Sequence, residues 1–237
     1  MKKLLAFSFL SFAAAVACAD TAWFQYSIFS PGDILLPWNR PDVCGLRLDM
    51  PYGNNKGSVY GVDLGLVGIA SGNMDGLAIS AANVVDLGST SGLQLGGIVN
   101  RTKDLYGVQL GGVLNWNADV VYGLQIAPIN LNSEFCGLQF GGVNWFANSA
   151  CGASFGAFFL SESAFTGLSA AAFNYDMKAF NGVQLGGINL AVEHSTGLQV
   201  GLVNISKLHD GVQIGLINLN GLGFLPCFPG INFNFSR

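Results

Sequence analysis

Apolar and polar positions recur along this chain in a fixed order. Val183, Gln184 and Leu185 read apolar, polar, apolar; Gly186 and Gly187 follow; Ile188, Asn189 and Leu190 then repeat the alternation. Alternation with period two, β-branched residues and flanking Gly predict short β-strands. A single straight strand does not fit, because Ile188 stands five positions after Val183, an odd offset that would turn the two triplets to opposite sides. A corner at the glycine pair restores the phase. The expectation from the pattern is that Val183, Leu185, Ile188 and Leu190 then face one apolar interior.

The same unit returns throughout the chain. Its opening glycines are Gly45, Gly61, Gly76, Gly92, Gly107, Gly123, Gly137, Gly152, Gly167, Gly182, Gly197 and Gly211, spaced 14 to 16 residues apart. Two places after the opening glycine stands a glutamine column: Gln94, Gln109, Gln125, Gln139, Gln184, Gln199 and Gln213. An asparagine column follows: Asn83, Asn100, Asn115, Asn130, Asn144, Asn174, Asn189, Asn204 and Asn218. The units at Gly152 and Gly167 depart from the motif, with Ser154 and Ser169 in the glutamine column. Each unit closes in a polar turn. A repeat this short cannot bury a face alone, so stacking must make the core.

These features predict an all-β fold: a parallel β-solenoid of about twelve coils of 15 residues with capping ends. Stacked identical residues place the Gln and Asn columns in side-chain amide ladders, since an amide both donates and accepts. The expected organisation is a targeting segment over 1–19, an N-terminal cap over 20–44, the array over 45–219 and a C-terminal capping strand over 220–237. Pro31, Pro37, Pro41, Pro226 and Pro229 mark the off-pattern ends, where a residue that cannot donate blunts a strand edge. The competing fold is a 14-stranded outer-membrane β-barrel, with Trp116, Tyr122, Trp145 and Tyr175 as an aromatic girdle. The phase break and uniformly short turns count against it.

Composition narrows the function. Charged residues are only 10% of the chain and the net charge is -4, which offers no basic footprint for nucleic acid. Lys2 and Lys3, an apolar run over 4–16 and the small residues Ala17 and Ala19 read as a secretory signal. Cleavage before Asp20 is expected. The alternative is a lipobox over 15–18, in which Cys18 is lipidated and kept. Export also permits disulfides. Cys136 and Cys151 each precede an opening glycine, so parallel stacking places them one coil apart; they are either a staple or two small buried residues.

Candidate chemistry is sparse. His194 and His209 lie fifteen residues apart and read as polar turn residues in preference to a metal or proton site. Arg47, Asp49 and Asp63 read as an ion-pair cap on the first coils. Paired acids on a parallel β-helix can also cleave polysaccharide, which makes a glycan-active enzyme the least favoured reading. No phosphate loop, nucleophile elbow or metal motif occurs, and neither cofactor nor metal is expected.

The units over 197–204 and 211–218, the lead-in over 43–48, 52–55 and 59–64, and the closing segment 228–235 resemble the bacterial surface-repeat proteins that carry tandem GVQIGLIN-type units. The resemblance implies an exported, envelope-associated protein, in the outer membrane or at the cell surface, and supplies no catalytic residues. The expected role is structural or adhesive, with no catalysis and an unidentified surface or envelope partner. The alternative is a membrane channel, should the barrel hold.

Overall fold

A computed structural model describes residues 21–28, 34–36, 42–221, 223 and 225–235. The expected targeting segment with Cys18, and the cap prolines Pro31, Pro37 and Pro41, lie outside the described residues. The chain divides into two compact units, residues 1–110 and 111–237. All regular structure among the described residues is strand.

In the first unit β1 (Ala22–Ser27) pairs antiparallel with β2 (Ile34–Leu36) and parallel with β3 (Val43–Asn55). Then β4 (Val59–Ala70), β5 (Met74–Val85) and β6 (Ser89–Thr102) follow, each parallel to the strand before it. The last element of this unit is β7 (Asp104–Gly111). Register is set by the repeat: Gly45 lies beside Gly61, and Gly61 beside Gly76.

The second unit continues the rule with β8 (Leu114–Ile126), β9 (Ile129–Phe146), β10 (Ala150–Ser161), β11 (Ala164–Asp176) and β12 (Ala179–Asn220). Each is parallel to the next. Gly167 lies beside Gly182, Phe165 beside Phe180 and Asn174 beside Asn189, an offset of one repeat. The 42-residue β12 holds the coils that open at Gly182, Gly197 and Gly211. Finally β13 (Cys227–Asn234), which carries Pro229, returns antiparallel across the Gly211 coil.

Parallel neighbours one repeat apart define a β-solenoid. Adjacent parallel strands need a connection of a dozen or so residues, and here the remainder of each coil supplies it. The same pairing overturns the barrel alternative, whose neighbouring strands must run antiparallel. The channel function that depended on a barrel loses its structural basis.

One expectation about the coil is inverted. The apolar columns do not fill the interior: Leu185 is 38% and Ile188 40% exposed, while Gln184 and Asn189 are fully buried. The corner does bring both triplets into phase, but with their polar centres inward. Four columns line the interior: the residue two before the opening glycine, the Gln column, the Asn column, and the residue two beyond Asn. In the second unit the first of these runs Val121, Phe135, Ala150, Phe165, Phe180, Ser195 and His209, all buried. The physical reason lies in the narrow coil. Stacked amides meet each other's donors and acceptors wherever the columns run unbroken, so burying them there leaves few polar groups unpaired.

The departures at Gly152 and Gly167 follow from interior volume. Phe159 occupies the Asn column, and Ser154 and Ser169 yield space in the Gln column beside it. Phe135, Phe146, Phe159, Phe165 and Phe180 then form a continuous ring cluster, with neighbouring centroids 4.8–5.6 Å apart.

The opening glycine is required twice over. All twelve hold positive φ, between 114° and 158°. A Cβ there would also run into the carbonyl oxygen of the equivalent glycine one coil earlier, as at Gly182 against Gly167. No other residue meets both demands.

Candidate binding surface

The predicted ladder residues meet inside the coils. Gln109 Nε2 donates to Gln94 Oε1 at 2.8 Å, and Gln139 to Gln125 at 3.0 Å. Gln213 donates to Gln199 at 2.8 Å and Gln199 to Gln184 at 2.6 Å. The Asn column donates in the opposite sense along the chain. Asn83 donates to Asn100, Asn115 to Asn130, and Asn130 to Asn144, at 2.9–3.0 Å. Asn174, Asn189 and Asn204 donate in turn to Asn189, Asn204 and Asn218, each at 2.7 Å. Two ladders of opposed amide dipoles offset one another's fields. Each Asn also reaches a backbone carbonyl past the corner, as Asn189 Nδ2 does to Val200 O at 3.0 Å. At the last coil, Asn218 Nδ2 donates to the Phe228 and Gly230 carbonyls of β13, so the cap completes the ladder.

The charged candidates are interior as well. Arg47 lies 2.9 Å from Asp49 and 3.1 Å from Asp63, and donates to Ile69 O at 2.8 Å. None of the three side chains is more than 5% exposed. Burial raises the Asp49 carboxyl to about 8; Arg47 opposes that rise and the Asp63 charge adds to it. Burial also raises Asp63 against the pull of Arg47. One guanidinium between two dry carboxylates favours a proton on one of them. A polymer outside the coil has no route to this pair.

Three interior residues escaped the sequence reading or were misread. Asp176, in the column beyond Asn, accepts from Gln184 Nε2, and burial holds its carboxyl well above the usual range. Ser195 Oγ bridges Ser206 Oγ at 2.8 Å and His209 Nδ1 at 2.7 Å. His209 is thus an interior residue and not a surface turn residue, and its burial lowers its pKa. His194 is exposed and meets Thr196 Oγ1 at 3.0 Å. The signal for these sites was positional: every residue two before an opening glycine, and every residue two beyond the Asn column, points inward. Mixed identities along those columns hide it. Cys136 and Cys151 are register partners joined by a disulfide, with Cα atoms 4.5 Å apart, and Cys227 is exposed. Among the described residues no group of three His, Cys, Asp or Glu could hold a metal.

The surface available to a partner is therefore the outside of the coils, and in the second unit it is sharply divided. Charged side chains lie on the closing segment of each coil, between the residue two beyond the Asn column and the next opening glycine: Asp119, Glu134, Glu162, Lys178, Glu193, Lys207 and Asp210. From the residue after each opening glycine to the residue after each Asn, no charge occurs. Those stretches form two outer faces meeting at the glycine corner. Phe140 and Phe155 stack at 5.1 Å on one face, and Phe158 and Phe173 lie 6.4 Å apart on the other. Along the corner an open groove passes over Gly186, Gly201 and Gly215, bordered by Leu185, Val200 and Ile214 and by Leu202 and Leu216. Leu202 is 61% and Leu216 70% exposed.

The chain matches no protein-family model, no curated protein and no solved structure. Among the described residues no helix is long and apolar enough to cross a membrane.

Proposed function

We propose that this chain is an exported repeat protein of the bacterial envelope, in the outer membrane or at the cell surface, with a structural or binding role and no catalysis. The observation that carries the reading is the inverted coil. The interior holds amide ladders and a phenylalanine cluster, and the apolar residues that flank each Gln and Asn lie outside, repeating at about 4.8 Å per coil. An exterior apolar area of this extent marks an interaction site. The resemblance to surface-repeat proteins and the expected secretory signal support export. The sealed Arg47, Asp49 and Asp63 cluster counts against a glycan-active enzyme, because an acid pair must reach the bond it cleaves.

The test is labelling of intact bacterial cells producing the full chain, with a membrane-impermeant amine reagent. Lys178 and Lys207 are both exposed, on the closing segments of coils in the second unit. The reading expects both to be modified on intact cells. Modification only after lysis would overturn the surface placement.

A further inference from the structure

The outer residues of the second unit are sorted by type. Two apolar faces run from the charged closing segments to the glycine corner, and no charge interrupts either one over seven successive coils. A protein partner covers one flat face and leaves the other wet. A fluid apolar medium covers both faces and the ridge together. The aromatic residues sort accordingly. Phenylalanine is spread over the faces and the interior, whereas the four Trp and Tyr side chains of this unit stand only at the rims. Tyr122 directly precedes an opening glycine; Trp116, Trp145 and Tyr175 directly follow the Asn column. Those positions border the charged closing segments. Trp145 Nε1 donates to Glu162 Oε1 of a turn at 3.0 Å, and Tyr122 is 52% exposed. Amphipathic rings at the boundary between an apolar band and a charged edge are the signature of a membrane–water interface.

From this geometry we propose that the second unit seats its glycine corner and both adjoining faces in the interfacial layer of a phospholipid leaflet, lying on the membrane without spanning it. The inference rests on the surface reading above and names its partner. The dimensions agree. From the rim to the corner is three residues, about 10 Å at the rise of a strand, and interfacial elements sink roughly 5–10 Å. The turn edge is acidic overall, with five carboxylates against Lys178 and Lys207. Attraction to anionic headgroups therefore contributes nothing, and zwitterionic lipid suffices. The open groove over Gly186, Gly201 and Gly215 would be filled by acyl methylenes.

The test uses the full chain with Trp23→Phe and Trp38→Phe, so that only Trp116 and Trp145 report. Phosphatidylcholine vesicles with brominated acyl chains are added and indole fluorescence is followed, with vesicle flotation alongside. The expected result is flotation, a blue shift and quenching by about half, all insensitive to salt. Adding Leu202→Asp and Leu216→Asp should weaken the quenching titration at least tenfold; both sites are exposed, so the β-sheet circular dichroism should not change. Flotation without quenching would place the attachment elsewhere in the chain and overturn the inference, as would quenching untouched by the double variant. Self-association without vesicle binding would name a second copy as the occupant and overturn it too. Labelled Lys178 and Lys207 on intact cells with no vesicle binding would leave the surface role standing and remove only the lipid.

Discussion

At the scale of single residues this protein reverses the usual ranking of core and surface. Gln199 accepts from Gln213 at 2.8 Å and donates to Gln184 at 2.6 Å, fully within the coil. Truncating it strands an acceptor on one neighbour and a donor on the other, at about 1–3 kcal/mol for each buried group left unpaired. Gln199→Ala is therefore expected to lower the denaturation midpoint markedly. Leu202→Ser, at a 61% exposed position, should stay within about 0.5 kcal/mol of the parent. Equal losses from the two would mean that the apolar side faces inward after all. Asp176 offers a second test. Its folded pKa is raised by burial, so its contribution to stability is complete below the ordinary carboxylate pKa of about 4 and is lost as pH rises toward the folded value. Asn117, Asn132 and Asn220 occupy the same column in other coils, and an amide there cannot ionise. Asp176→Asn should match the parent near pH 4 and exceed it in Tm under alkaline conditions. A parent whose Tm rises with pH over that range relative to the variant would contradict the buried, protonated carboxyl.

At the scale of the element, the opening glycine fixes the coil. Gly182→Ala must take a φ of 141° that L residues avoid, and its Cβ meets the Gly167 carbonyl with nowhere to retreat. Gly230 in β13 has positive φ too, but no atom lies within 4 Å of a Cβ placed there. Gly230→Ala should therefore show only the conformational term, about 1–2 kcal/mol, whereas Gly182→Ala should add the loss of the Gly167–Gly182 contact. Hydrogen exchange would locate that loss in the coils around Gly182, since a repeat array transmits strain to nearest neighbours. Protection lost equally in both variants would refute the close-approach argument. The glycine column was legible in the sequence because one residue type recurs at one offset, and so were the coil length, the parallel stacking and the partners of the Gln and Asn ladders. The direction of the faces was not. Alternation shows which residues share a side, never which side is closed, and two apolar residues around each Gln favoured the wrong answer. Ser195, His209 and Asp176 stayed hidden for a related reason: their columns are defined by position alone and hold Val, Phe, Ala, Ser, Asn and His in turn.

At the scale of the whole molecule, the question is what stops a stack of this kind from growing. Each coil presents unpaired backbone donors and acceptors and an open amide ladder to the next, and nothing in a repeat limits their number. In the second unit the limit is β13. It runs antiparallel across the Gly211 coil, places Pro229 at the edge, and supplies the Phe228 and Gly230 carbonyls to the last ladder amide, Asn218. A further copy of the chain offers a parallel strand, so an antiparallel edge interrupted by proline is a poor template for it. Ending the chain at Asn220 removes this cap while leaving every coil intact. The exposed Gly211 coil then has an unpaired strand edge and an Asn218 amide without its Phe228 and Gly230 acceptors, ready to pair with the same coil of a second copy. β1 keeps its antiparallel partner β2, so only the bared Gly211 coils can pair and the contact closes at two copies. The truncated chain is expected to sediment as a dimer under conditions where the full chain does not. If it instead stays at the size of the full chain, the coils terminate themselves, and β13 serves some purpose other than closing the ladder.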